Sequence, residues 1–156
     1  MFVIMPILHL ITFIQAPVER VFDLSRDISF HAVSMQHTNE KAVAGKTSGL
    51  IQEGETVTWQ AKHLLKTRLL TTKITLMKPY SLFVDEMIEG DFRRMKHEHH
   101  FEYKDGVTLM KDIFCFESPY GILGQLANSI FLTNYMKRLL ILRNNLIKEY
   151  AERDLC

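Results

Sequence analysis

Two alternating segments, Arg94 to Tyr103 and Val107 to Glu117, flank Lys104-Asp105-Gly106. Asp-Gly supplies the two left-handed residues that a two-residue type I′ loop needs, so this stretch predicts a β-hairpin. With Asp105-Gly106 as the loop, pairing runs outward from Lys104 opposite Val107. Phe101 then faces Met110, His99 faces Asp112, and His97 faces Phe114, all on one side of the hairpin by parity. The other side carries Glu98, His100, Glu102, Lys111 and Glu117, which are expected to meet water. His97, His99 and Asp112 therefore point inward, among Phe101, Met110, Phe114 and Phe116. A register slip of one residue would reverse all of these orientations.

The rest of the chain supplies partners for this hairpin. Ile7 to Ile14 reads as a buried strand. It is too short to span a bilayer, and it lacks the basic residues that precede the apolar stretch of a signal peptide. Met5 is an alternative start. Ala16-Pro17-Val18-Glu19 opens a helix whose Val18, Val21 and Phe22 share a face, and Ser25-Arg26-Asp27 breaks it. Ile28 to Met35 forms a second short helix. Gly45 to Gly54 is a turn region. Glu55 to Leu65 alternates, with Val57, Trp59, Ala61 and His63 on one side. Thr67 to Met77 and Leu82 to Glu89 are further strands. On the last of these Asp85 shares a face with Phe83 and Met87 and is favoured as inward, although Glu86 is a near-even alternative.

From Gly121 onward the chain has no proline. Apolar residues recur at Leu123, Ala127, Phe131, Tyr135, Leu139, Leu142, Leu146 and Tyr150, the spacing of a long amphipathic helix. A second line, Ile122, Leu126 and Ile130, widens its apolar face. Arg138, Arg143 and Lys148 are expected on its solvated side. Segregated strands and helices define an α+β fold.

Composition narrows the function. The 156 residues carry 19 Lys+Arg against 18 Asp+Glu, a net charge of +1, which argues against a nucleic-acid domain. Apolar residues make up 47%, so the chain is not disordered. The two cysteines, Cys115 and Cys156, make no disulfide framework, which points to a reducing, cytoplasmic setting. No linker or repeat divides residues 1–156, which read as one domain.

Several segments together resemble a known superfamily. They are Phe13-Ile14-Gln15-Ala16-Pro17-Val18-Glu19-Arg20-Val21-Phe22-Asp23-Leu24, Phe83-Val84-Asp85-Glu86-Met87-Ile88-Glu89-Gly90-Asp91-Phe92, His97-Glu98-His99-His100-Phe101-Glu102, Thr108-Leu109-Met110-Lys111-Asp112 and Ser118-Pro119-Tyr120-Gly121-Ile122-Leu123-Gly124. In order and spacing they resemble the START, polyketide-cyclase and birch-pollen-allergen-like (SRPBCC) superfamily. Within it they are most similar to the bacterial ligand-binding branch sometimes labelled cell-division-inhibitor-like. Asp91 departs from the proline that related chains often carry after the glycine. The resemblance implies a helix-grip fold, in which a curved antiparallel sheet wraps a long C-terminal helix, with two short helices after the first strand. It also implies an elongated apolar cavity. Members bind lipids, sterols, polyketides, quinones or plant hormones, and some are cyclases or dehydratases.

The candidate site follows from the inward faces. Trp59, Leu70, Phe83, Phe101, Met110, Phe114, Phe116, Leu126, Ile130 and Tyr135 are the expected apolar walls, and Asp85, His97, His99 and Asp112 the polar end. Trp59 suits either cavity lining or plain core packing. Arg68 could anchor an anion at the cavity mouth or stay exposed. Two histidines and a carboxylate can hold Fe or Zn, but a buried Asp–His pair also satisfies itself without metal. The expectation is therefore no metal and no cofactor, with His99 and Asp112 hydrogen-bonded. Cys115 faces away from the histidines, so a Cys–His nucleophile is not expected.

The leading expectation is binding of a hydrophobic small molecule with one polar end. Alternatives are a cyclase, dehydratase or hydrolase using His97 or His99 as general base, and a regulatory protein-interaction module. A monomer or weak homodimer, without stable membrane insertion, completes the expectation.

Overall fold

The computed structural model describes residues 5–118 and 122–153, with side chains of the last segment described from Ile130 onward. Met1, Cys156 and the side chains of Ile122, Leu123, Leu126 and Ala127 lie outside that description. The elements run β1 (Ile7–Ile14), α1 (Val18–Arg26), α2 (Ile28–Ser34), a 3-10 turn at Gln36–Thr38, β2 (Lys41–Gly45), β3 (Thr56–His63), β4 (Lys66–Lys78), β5 (Leu82–Glu89), β6 (Arg94–Lys104), β7 (Val107–Glu117) and α3 (Ile122–Glu152). The strands form one seven-stranded antiparallel sheet in the order β1-β7-β6-β5-β4-β3-β2. This is the helix-grip α+β arrangement.

Each local choice has a cause. Asp27 ends α1 and caps α2, its carboxylate accepting from the Phe30 N–H at 3.1 Å. The sheet bends where pairing slips, between Ala42 and Ala44 in β2 and between Ile74 and Leu76 in β4. Asp105 and Gly106 take φ of 51° and 82°, and Lys104 pairs with Val107 as the hairpin reading requires.

Four expectations need correction. β1 is an edge strand buried on one side only: Leu8 and Ile14 point in, while Ile7, Ile11 and Phe13 are exposed. The strand expected to run to Leu65 stops at His63, because Leu64 and Leu65 form a two-residue loop with φ of 52° and 67°. Left-handed backbone at a non-glycine residue costs about 1–2 kcal/mol. Glu117 is buried rather than solvated, paired at 3.2 Å with Arg93. Finally, the buried line of α3 runs through Met136, Leu140, Asn144, Ile147 and Ala151, not through Phe131 and Leu142, which are exposed. Leu142 sits two residues from Leu140, about 200° around the helix. Ile130 bears the same relation to Leu132 and is 67% exposed.

The core forms two clusters. One gathers Phe22, Trp59, Ile74, Phe83, Phe101, Met110 and Ile147; the other gathers Leu8, Met95, Phe114, Phe116 and Leu140. Among the described residues, no helix is long and apolar enough to cross a membrane.

Candidate binding cavity and its polar floor

Between the two core clusters lies a layer of ionisable side chains. Strand parity places His97 and His99 on one face of β6, with ring centroids 3.8 Å apart. His99 stacks on Phe83 of the first cluster at 4.1 Å, and His97 meets the edge of Phe114 of the second at 5.2 Å. Below them Asp112 of β7 is fully buried.

The pairing differs from expectation in one respect. His97 Nε2–H donates to Asp112 Oδ1 at 2.8 Å, and His99 Nε2–H donates to Asp85 Oδ2 at 2.8 Å. His99 Nδ1 lies 3.1 Å from Asp112 Oδ1, an ion-pair contact out of line for a hydrogen bond. Asp112 is thus shared, and Asp85, whose side chain is 19% exposed, is the open end of the cluster.

Helix α3 completes the cluster with residues that the sequence reading missed. Asn144 Nδ2–H donates to Asp112 Oδ2 at 2.6 Å. Arg143, expected in solvent, is buried: it donates to Asn144 Oδ1 at 3.1 Å and to the Ser25 carbonyl at 3.0 Å, with Asp112 Oδ1 3.8 Å away. The signal was present in the sequence. Arg143-Asn144 interrupts the helical line Met136, Leu140, Ile147 and Ala151 with two polar residues, and buried polar residues need partners.

Protonation follows from these contacts. Burial pushes the Asp112 carboxyl up, but His97 and His99 outweigh it and hold it well below the usual carboxylate range. Burial likewise raises Asp85, and the His99 bond overcomes it, so Asp85 also falls. Burial and the neighbouring His99 push His97 down, whereas in His99 the carboxylates of Asp112 and Asp85 outweigh burial and raise it. The cluster holds two carboxylates, one guanidinium and two imidazoles biased in opposite directions, His97 toward the neutral form and His99 toward the charged one.

This layer floors a cavity of about 170 Å³. Asp85, His97, His99 and Arg143 form its polar end, and Trp59, Leu70, Ile74, Phe83, Met95 and Phe114 are among its apolar walls. A second chamber of about 340 Å³ lies beside it, between the β3–β4 hairpin and α3. The chambers share Glu40, Trp59, His63, Leu70, Met136 and Leu139. Phe101, Met110 and Phe116 pack in the core and do not line either chamber, and Asp112 supports the floor from behind. Tyr135 lines the outer chamber, and Ile130 lines neither.

The neck is a second polar cluster. Glu40 accepts from His31 Nε2 at 2.6 Å, and the His31 ring lies 4.4 Å from Trp59. His63 Nδ1 and Tyr135 Oη are 2.8 Å apart, joining β3 to α3. Arg68 stands at the mouth, bound to Asp91.

Asp85, His97 and His99 each offer a ligand atom, all within 4.8 Å of one another. The His97 and His99 Nε2 atoms are hydrogen-bonded to carboxylates, while the buried His99 Nδ1 has only its ion-pair contact with Asp112.

No protein-family model matches the sequence, and no curated protein matches at a significant level. Solved structures do match. The Zhui aromatase/cyclase from a Streptomyces species superposes with a TM-score of 0.78 at 15% identity, covering 97% of this chain and 96% of that one. A START superfamily protein from Mycobacterium smegmatis gives 0.71 at 9% identity, over 93% and 96% of the two chains. Ginseng major latex-like protein 151 from Panax ginseng gives 0.66 at 14%, over 94% and 97%. At such identities the likeness establishes the fold: it is the helix-grip fold of the SRPBCC proteins.

Proposed function

We propose that this chain binds a small, largely apolar molecule whose polar end reaches the His97–His99 floor. The supporting observation is that the two chambers adjoin, sharing the walls Trp59, Leu70, Met136 and Leu139, and that the largely buried Asp85 carboxylate lies at the inner end. An apolar cavity of about 150 Å³ takes one benzene ring, so the inner chamber suits one ring and the outer chamber the rest of the molecule. Apolar burial, at roughly 25 cal/mol per Å², supplies affinity, and the fixed polar floor supplies orientation. The Asp85 carboxylate, the one of the floor that faces the cavity, favours a ligand ending in a hydrogen-bond donor, such as a hydroxyl, over one ending in a carboxylate.

The test uses Trp59, the chain's single tryptophan. Titration with 2-naphthol should quench or shift its emission saturably, and 2-naphthoate should bind more weakly. Native mass spectrometry of protein from mild purification should show a co-purifying molecule. Absence of both signals would end the reading.

Acid–base catalysis is the second reading, favoured by two adjacent imidazoles driven in opposite directions. A molecule that loses or gains one water with the wild type, and survives with His99→Asn, would favour it over simple binding.

A further inference from the structure

Among the described residues, the turn at Leu64-Leu65 is the hairpin loop that folding does not explain. Type I′ loops favour Asn-Gly and Asp-Gly because both central residues need positive φ. This chain uses that solution at Asp105-Gly106. Between β3 and β4 it places two leucines in the same backbone conformation, φ 52° and 67°. Tyr80, also at positive φ, packs edge-on against Phe22 at 5.5 Å. Leu65 has no such compensation: it is 90% exposed, and Leu64 is 46% exposed. Strain and exposed apolar area coincide at a single loop, the kind of outlier that points to function.

The surroundings identify the partner. Exposed Lys62 and Lys66 flank the two leucines. Leu64, Leu69 and Phe131 line the outer chamber while each remains roughly half-exposed. The loop is thus an apolar tip with cationic shoulders at the rim of the cavity mouth. That chemistry matches an anionic bilayer surface, where leucines enter the acyl boundary and lysines meet headgroups.

We infer that the Leu64-Leu65 hairpin tip is a peripheral docking site for an anionic lipid surface, seating the cavity mouth against the bilayer. The docking itself requires nothing of the cavity. Transfer of an apolar ligand between bilayer and chamber is the role that follows if the proposed function holds.

The experiment compares the full-length wild type with a Leu64→Asn/Leu65→Gly variant. Both are sedimented with vesicles of phosphatidylcholine alone or with about 30% phosphatidylserine added, at low and high salt. The wild type should bind the anionic vesicles, less so at high salt, and the variant at least about tenfold more weakly. The variant's thermal midpoint should match or exceed that of the wild type, because its turn is relieved of strain. A merely structural role would not separate these two readouts. Equal sedimentation of wild type and variant, or none by either, would overturn the inference. So would a wild-type dimer that the variant converts to monomer without vesicle binding, since the tip would then be a self-interface. Saturable Trp59 quenching by 2-naphthol in that event would leave the cavity reading standing while docking fails.

Discussion

Asn144 of α3 donates to Asp112 of β7 across 2.6 Å, and both residues are buried. This bond ties the helix to the middle of the sheet through a charged acceptor. Hydrogen bonds to charged groups contribute about 1.5–3 kcal/mol, and an orphaned buried acceptor costs a similar amount.

Asn144→Ala should therefore destabilise the fold by about 2–3 kcal/mol. Asp112→Asn should cost more, about 3–5 kcal/mol, because it leaves Arg143 and a charged His99 without their shared counter-ion. Urea denaturation followed by circular dichroism measures both.

Stability should peak near neutral pH. The depressed Asp85 and Asp112 carboxyls contribute stability that is present above their ordinary value of 3.8 and lost as pH falls through the folded values. His97, also depressed, contributes above 6.5 and loses that contribution as pH falls. His99 is raised, so its contribution is complete below 6.5 and fades as pH rises through its folded value. His99→Gln should flatten the alkaline side of the profile. Thermal melts across pH 3–9 check this.

The two imidazoles should titrate on opposite sides of 6.5, His99 above and His97 below. Arg143→Met should move His99 further up, since the guanidinium opposes its protonation. Nuclear magnetic resonance of the imidazole carbons resolves the two rings.

Leu70 lines both chambers. Leu70→Trp should plug the neck and lower the affinity for 2-naphthol at least about tenfold, given the extra volume in a closed space. Dye displacement is the suitable readout, because the variant adds a second indole.

Much of the fold was legible in the sequence because its strongest signals are local. Asp105-Gly106 set the β6–β7 register, and that register alone brought His97, His99 and Asp112 to one face. Inward Asp85 followed from Phe83 and Met87. What stayed hidden was long-range or contrary to local preference. Arg143 read as solvated because charged residues on a helix usually are, Asn144 gave no signal of its own, and their partners lie 118 and 32 residues away. The Glu40–His31 neck depends on how α2 meets β2, which no periodicity reports. Leu64-Leu65 defeated the turn reading because leucine is a poor residue for positive φ.

Helix α3 is held unevenly. Toward its C-terminus Lys148 bonds the Phe13 carbonyl at 2.6 Å, Glu152 accepts from the Gln15 N–H at 2.8 Å, and Ile147 and Ala151 are buried. Around Phe131 to Tyr135 the rod borders open cavity, and the His63–Tyr135 bond is its polar link to β3. If the cavity binds as proposed, the stretch from Phe131 to Tyr135 is the part of the rod placed to adjust to a guest's girth, while the stretch bonded through Lys148 and Glu152 keeps its seat on β1.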